Sequence, residues 1–158
     1  MAKSTPSEHE FLAPDEWQSW NALMMVSRTV LQALDAELRS AHGLAVTEFD
    51  VLITLFNAPN RRLGMSALAG QVLLSPAGTT HLVTRLERDG LVRRVVDPSD
   101  RRKQYAVLTP DGDRTLRAAR RTHNQVLQRT LFKVLSPTER RMLQRVWKRL
   151  AAAGSAPV

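Results

Sequence analysis

The sequence predicts a mainly α-helical protein with one small β-hairpin. Three observations carry that expectation. Apolar residues recur at helical spacing along most of the chain. Three hydroxyl-proline pairs, Ser75-Pro76, Thr109-Pro110 and Ser136-Pro137, mark helix starts. There the hydroxyl can accept a free backbone N–H, and proline has none to lose. Two runs rich in apolar and β-branched residues, Leu91–Val96 and Lys103–Leu108, flank a turn of Asp97, Pro98, Asp100, Arg101 and Arg102.

Taken in order, residues 1–13 are polar, carry Pro6 and read as a flexible tail. A long helix is expected from Pro14 to about His42, stopped by Gly43. Along it Trp17, Trp20, Met24, Ser27, Leu31, Leu34 and Leu38 form a heptad-like seam that must pack on something. The C-terminal helices and a second subunit are both candidates. Thr47 and Asp50 resemble a capping box for a helix with Phe49, Leu52, Ile53 and Phe56 inward, ending before Pro59. Arg61 to Gly64 reads as a turn or a very short strand. Ser66 is expected to cap a short helix through about Leu73, burying Leu68, Ala69 and Val72.

A brief turn at Leu74–Ser75 leads to the helix opened by Pro76. Leu82, Val83 and Leu86 give it an apolar stripe, and Gly90 fits the left-handed position past its end. After the hairpin, a helix from Pro110 to about Val134 carries Leu116, Ala119, His123, Val126, Leu127, Thr130 and Leu131 on one side. The last helix opens with a full capping box, Ser136 and Glu139. It is expected to bury Met142, Leu143, Val146, Trp147 and Leu150 and to fray in AAAGSAPV. Two short helices followed by an arginine-tipped hairpin make a winged helix-turn-helix, with further helices on either side.

Composition narrows the function. The net charge is +8, which favours an anionic partner. Residues 113–158 hold eleven basic and two acidic side chains, net +9, either a solvated helix face or a field that attracts DNA. Aromatics make up 5%, too few for stacking platforms along a single strand. The chain has no apolar run long enough to span a membrane, and MAKSTPSEHEF lacks a signal core, so a cytoplasmic protein is expected. The absence of cysteine excludes disulfides and thiol sensing. His9, His42, His81 and His123 are scattered, and no HExxH, GxSxG or phosphate-binding glycine loop occurs. No enzyme, cofactor or metal site is expected. A zinc site of His42, Glu37 and His123 would require those helices to cross.

The DNA-facing candidates follow from chemistry. Ser66, Ser75 and Thr79 lie near helix N-termini, where free N–H groups favour phosphate. Ala77, Gly78, Thr80 and His81 are small or hydrogen-bonding residues in the first turns of the second helix, suited to base edges. Thr84 and Arg85 lie one turn on. Ser75 could instead be a cap alone, and His81 an exposed ring without a role. One of Arg101 and Arg102 could enter a minor groove while the other pairs with Asp97 or Asp100.

The residues Leu86-Glu87-Arg88-Asp89-Gly90-Leu91-Val92-Arg93-Arg94, then Asp97, Asp100-Arg101-Arg102, Val107-Leu108-Thr109 and Gly112, resemble the signature of the multiple-antibiotic-resistance regulator (MarR) family of bacterial transcription factors. The similarity spans roughly residues 15–150. It implies an obligate homodimer: residues 14–45 as a dimerisation helix, 46–112 as the winged module and 113–152 as C-terminal dimerisation helices. It implies a regulator, read as a repressor, that binds double-stranded DNA at a pseudo-palindrome, recognition helix in the major groove and arginine wing at the minor groove. It favours a structural pairing of Asp100 with one arginine while the neighbouring arginine meets the groove. It also implies a small-molecule effector, often an aromatic acid, for which Trp17, Trp20, Met24, Arg28 and Phe49 are the candidate lining residues; the tryptophans could equally be dimer core. The alternative is a winged-helix module for protein interaction or sequence-neutral DNA architecture.

Overall fold

The computed structural model describes residues 12–72 and 74–154, so most of the expected tail lies outside the described residues. The first helix, α1 (Pro14–His42), begins on its proline and ends where Gly43 takes φ 65°. The next, α2 (Val46–Asn57), starts before Thr47. Glu48 Oε2 accepts the Ala45 N–H at 2.7 Å and Asp35 Oδ1 accepts the Val46 N–H at 2.9 Å, so carboxylates replace the expected hydroxyl cap. A 3-10 turn follows at Pro59–Arg61, with Asn60 and Arg61 left-handed at φ 52° and 54°. Arg61 is held there by Asp113 at 2.8 Å and by the face of Phe56.

The winged module then unfolds in sequence: β1 (Arg62–Gly64), α3 (Met65–Gln71), α4 (Pro76–Arg88), β2 (Val92–Val96) and β3 (Gln104–Leu108). The N-cap of α3 is Gly64, so Ser66 sits inside the first turn and caps nothing. The hairpin becomes a three-stranded antiparallel sheet, order β1-β3-β2, with Leu63 opposite Ala106 and Arg94 opposite Ala106 on the other side. Next come α5 (Pro110–Thr130), a 3-10 turn at Phe132–Val134, and α6 (Pro137–Gly154). The helix α5 stops short of Val134 because Leu131 leaves helical geometry at φ −124°, ψ −57°.

One core joins the C-terminal half of α1 to α2, α3, α4, the sheet and α5, through Leu38, Leu52, Leu55, Leu68, Leu86, Val92 and Leu116. Burying side chains of this size stabilises the fold by about 1.5–3 kcal/mol each. The helix α5 runs antiparallel to α1, shown by the Arg129–Glu37 and Thr122–His42 pairs. It therefore covers only the C-terminal half of α1. Of the expected seam, Leu34 and Leu38 are buried, while Trp17, Trp20, Met24 and Leu31 are 42–54% exposed. Met142, Trp147 and Leu150 on α6 are exposed too, and Leu143 and Val146 only half-buried. Among the described residues these side chains stay uncovered.

Candidate nucleic-acid interface

The helix α4 is polar on one side and apolar on the other. Ser75 Oγ accepts the Gly78 N–H at 3.1 Å, which fixes the helix start. Leu82, Val83 and Leu86 point into the core, and so does Thr79, which is fully buried. Its hydroxyl donates to Ser75 O at 3.1 Å. Thr79 is therefore removed from the DNA-facing set, because the helical period puts it on the face of Leu82 and Val83. Gly78 is half-buried, and a Cβ there would stand 3.2 Å from Ser75 Oγ. Ala77, Thr80, His81 and Thr84 remain outward, at helical spacing on one face. Thr80 and Thr84 donate their hydroxyls to carbonyls one turn back, Pro76 O and Thr80 O.

Arg85 is also displaced from the expected set. Its guanidinium donates to Glu48 Oε1 through Nε at 2.8 Å and through NH2 at 2.6 Å. Arg94 on β2 takes the outer position instead. It donates to Thr80 O at 2.9 Å and to Thr84 Oγ1 at 2.5 Å, while Glu87 Oε1 accepts the Arg94 N–H at 2.8 Å. The wing strand is thereby fastened to the outer edge of α4. The strand alternation of Arg93 and Arg94 could have signalled this, since successive side chains point to opposite faces. Ser66, Thr80, Arg94, Arg102 and Tyr105 line one groove between the helix pair and the wing.

The wing turn is built around two carboxylates. Asp97 Oδ1 accepts the Ser99 hydroxyl at 2.6 Å and the Ser99 N–H at 2.8 Å, and Asp97 Oδ2 accepts the Tyr105 hydroxyl at 3.1 Å. These bonds, the Ser99 hydroxyl first, hold the Asp97 carboxyl at about 2. Asp100 Oδ1 accepts the Arg102 N–H at 3.1 Å and its Nε at 3.3 Å, and Asp100 Oδ2 lies 3.8 Å from Lys103 Nζ. The Arg102 side chain is nevertheless 93% exposed, oriented but not consumed. Arg101 is exposed and meets no carboxylate among the described residues.

The other candidate residues separate. Trp17, Trp20, Met24 and Arg28 are exposed along α1, whereas Phe49 is buried in the core and stacked on His123 with centroids 4.6 Å apart. His42 shares a hydrogen bond with Thr122 at 2.8 Å and Glu37 pairs with Arg129 at 2.7 Å, so these two and His123 each have another partner. Among the described residues no three side chains come together that could hold a metal ion, and no helix is long and apolar enough to cross a membrane.

A helix with an apolar back and a small, hydrogen-bonding front, preceded by a second short helix and flanked by an arginine-tipped hairpin, defines a winged helix-turn-helix DNA-binding protein. Comparisons with known proteins agree. The MarR family model matches residues 44–103. The MarR-family transcriptional regulator Sco3205 from Streptomyces coelicolor, solved in complex with DNA, is 30% identical with a TM-score of 0.84, over 94% of this chain and 92% of that one. The HTH-type transcriptional regulator YkoM of Bacillus subtilis (strain 168) is 34% identical over 102 residues; the match takes in 65% of this chain and 64% of that relative, just under two thirds of its length. The transcriptional repressor MprA of Escherichia coli (strain K12) is 28% identical over 150 residues, 95% of this chain and 84% of that protein. The chain belongs to the MarR family of transcriptional regulators, which are DNA-binding proteins and not enzymes.

Proposed function

We propose that this chain is a homodimeric cytoplasmic repressor that reads a pseudo-palindromic operator. The observation that carries the reading is the division of α4: Thr79, Leu82, Val83 and Leu86 buried, Ala77, Thr80, His81 and Thr84 outward. Short side chains there let the helix sit close to base edges in a major groove. Ser66 and Ser75 flank that face and suit phosphate contact. Arg102, oriented by Asp100, and Arg101 extend the contact to the minor groove or the backbone. Two exposed apolar stretches, Trp17, Trp20, Met24 and Leu31 on α1 and Met142, Trp147 and Leu150 on α6, support pairing of two copies, because monomeric surfaces rarely carry so many large apolar groups. Two copies then present two recognition helices to two half-sites. The presence of Arg28 on α1 with Trp17, Trp20 and Met24 supports reading an aromatic-acid effector at that helix.

The test is a footprint on DNA flanking the protein's own gene, with the mass of the complex measured alongside. The expected result is a discrete protected palindrome, half-sites about one helical turn apart, bound by two chains. Uniform coating of every sequence would replace this reading with an architectural one.

A further inference from the structure

Arg85 lies on α4 one turn beyond His81, and its side chain, 41% exposed, pairs with a carboxylate of α2. Its partner Glu48 is 5% exposed, so the carboxylate sits out of water. That one carboxylate does two things. Oε2 closes the N-terminus of α2 at the Ala45 N–H, 2.7 Å away, and Oε1 accepts from Nε and NH2 of Arg85. The neighbouring Val46 N–H goes to Asp35 of α1 at 2.9 Å, and Asp35 in turn holds Arg39 at 2.6 Å. A continuous set of charge-assisted bonds therefore joins α1, the start of α2 and the far end of α4.

We propose that Glu48 and Arg85 are a positioning pair that sets the angle of α4 against the α1–α2 frame, and so determines operator specificity without Arg85 touching DNA. The proposal rests on α4 being the recognition helix. The apolar stripe of α4 alone does not fix that angle, because hydrophobic contact is non-directional. A guanidinium held through two N–H groups is directional. Its leverage is large. Ala77 lies eight residues from Arg85, about 12 Å along the helix axis. A tilt of about 5° about Arg85 moves Ala77 by about 1 Å, twice the tolerance of about 0.5 Å for a preorganised contact. Arg94 fastens α4 to the wing at Thr80 and Thr84, so loss of Glu48–Arg85 leaves the helix with its apolar packing and those bonds to the wing.

The experiment compares the full-length protein with Arg85→Met, Glu48→Gln, the double variant and Arg85→Lys. Each is titrated against the footprinted operator and a random duplex of equal length, across salt. Arg85→Met keeps the aliphatic stem and the α2 cap. It is expected to lower operator affinity on the order of tenfold, to change random-duplex affinity by less than about twofold, and to leave the salt slope unaltered. The double variant is expected to bind no worse than Arg85→Met, and Arg85→Lys to regain most of the loss. Equal weakening on both duplexes with the salt slope reduced by about one would place Arg85 on a phosphate and overturn the proposal. Unchanged affinity on both would overturn it as well. Amide hydrogen exchange without DNA supplies a separate readout: Arg85→Met should speed exchange at residues 82–86, and wild-type protection there would refute the pairing's role. A wild-type protein with no operator preference defeats the proposed function, and exchange still decides whether the pair holds α4. If Arg85→Met fails to fold, Glu48→Gln, which retains one acceptor for Ala45, carries the same comparison.

Discussion

Replacing Gly112 with alanine should distort the base of the wing. A Cβ at that position would stand 2.1 Å from Leu91 O, 3.0 Å from Leu91 C and 2.8 Å from Leu108 Cδ1. The leucine methyl can turn aside. The Leu91 carbonyl is held in place, because it accepts the Thr109 N–H at 3.1 Å and the Thr109 hydroxyl at 3.0 Å. Reaching an ordinary carbon–oxygen separation of about 3.3 Å requires a backbone displacement of about 1 Å. That movement costs one or two hydrogen bonds at about 1 kcal/mol each, and the overpacking adds about 1–3 kcal/mol. Against this, alanine gains at most about 1 kcal/mol over glycine in a helix interior. The gain is smaller here, since Gly112 lies in the first turn of α5 and already receives the Thr109 cap at 3.0 Å. The clash wins, with a net loss of about 2–4 kcal/mol. For a chain of this size each kcal/mol lowers Tm by about 2–4 °C, so a fall of about 5–15 °C is expected. Calorimetry at matched protein concentration is the assay, because assembly makes Tm concentration-dependent. A Tm within about 1 °C of wild type would show that the Leu91 carbonyl yields freely and would refute the reasoning.

Three further outcomes are expected. Arg102→Ala should weaken operator binding by about 1–3 kcal/mol while the assembly stays folded; anisotropy titration at moderate salt checks this, and unchanged affinity removes the arginine from the contact. The Asp97 carboxyl should titrate at about 2 where an ordinary aspartate does so at 3.8. Because its folded value is depressed, its bonds to Ser99 and Tyr105 are fully stabilising above pH 3.8 and are lost as pH falls through about 2. Carboxyl NMR shifts followed against pH give the midpoint, and a value near 3.8 contradicts the wing-turn geometry. Trp20→Glu should break the exposed apolar stretch of α1 and reduce the mass in solution to that of one chain; light scattering that still reports two chains would place the subunit contact elsewhere.

Local chemistry made much of the architecture legible. The ends of α1, the proline starts of α4, α5 and α6, and both hairpin strands follow from caps, prolines and alternation that act within a few residues. What stayed hidden depends on distant partners. Thr47 has the look of a cap, but Asp35, eleven residues before Val46, and Glu48 take the free N–H groups. Arg85 has the composition of a DNA contact, and only the fold brings Glu48, 37 residues away, to meet it. Ser66 had a serine's preference for an N-cap, overridden when β1 pairing carried Gly64 into that place. The seam on α1 was visible as a pattern, yet spacing alone does not say whether its cover comes from the same chain. The identity of the outward residues on α4 was readable by helical period, which also argues Thr79 inward.

The placement of the aromatic residues has a spectroscopic consequence. All three tryptophans, Trp17 and Trp20 on α1 and Trp147 on α6, lie on the exposed apolar stretches, and the winged module contains none. The single tyrosine, Tyr105, belongs to the wing turn through Asp97. Indole emission from the unlabelled protein therefore follows the covering of those stretches and not the wing. Excitation at the long-wavelength edge, where the phenol of Tyr105 does not absorb, isolates that signal, so a reporter of subunit pairing is already written into the chain.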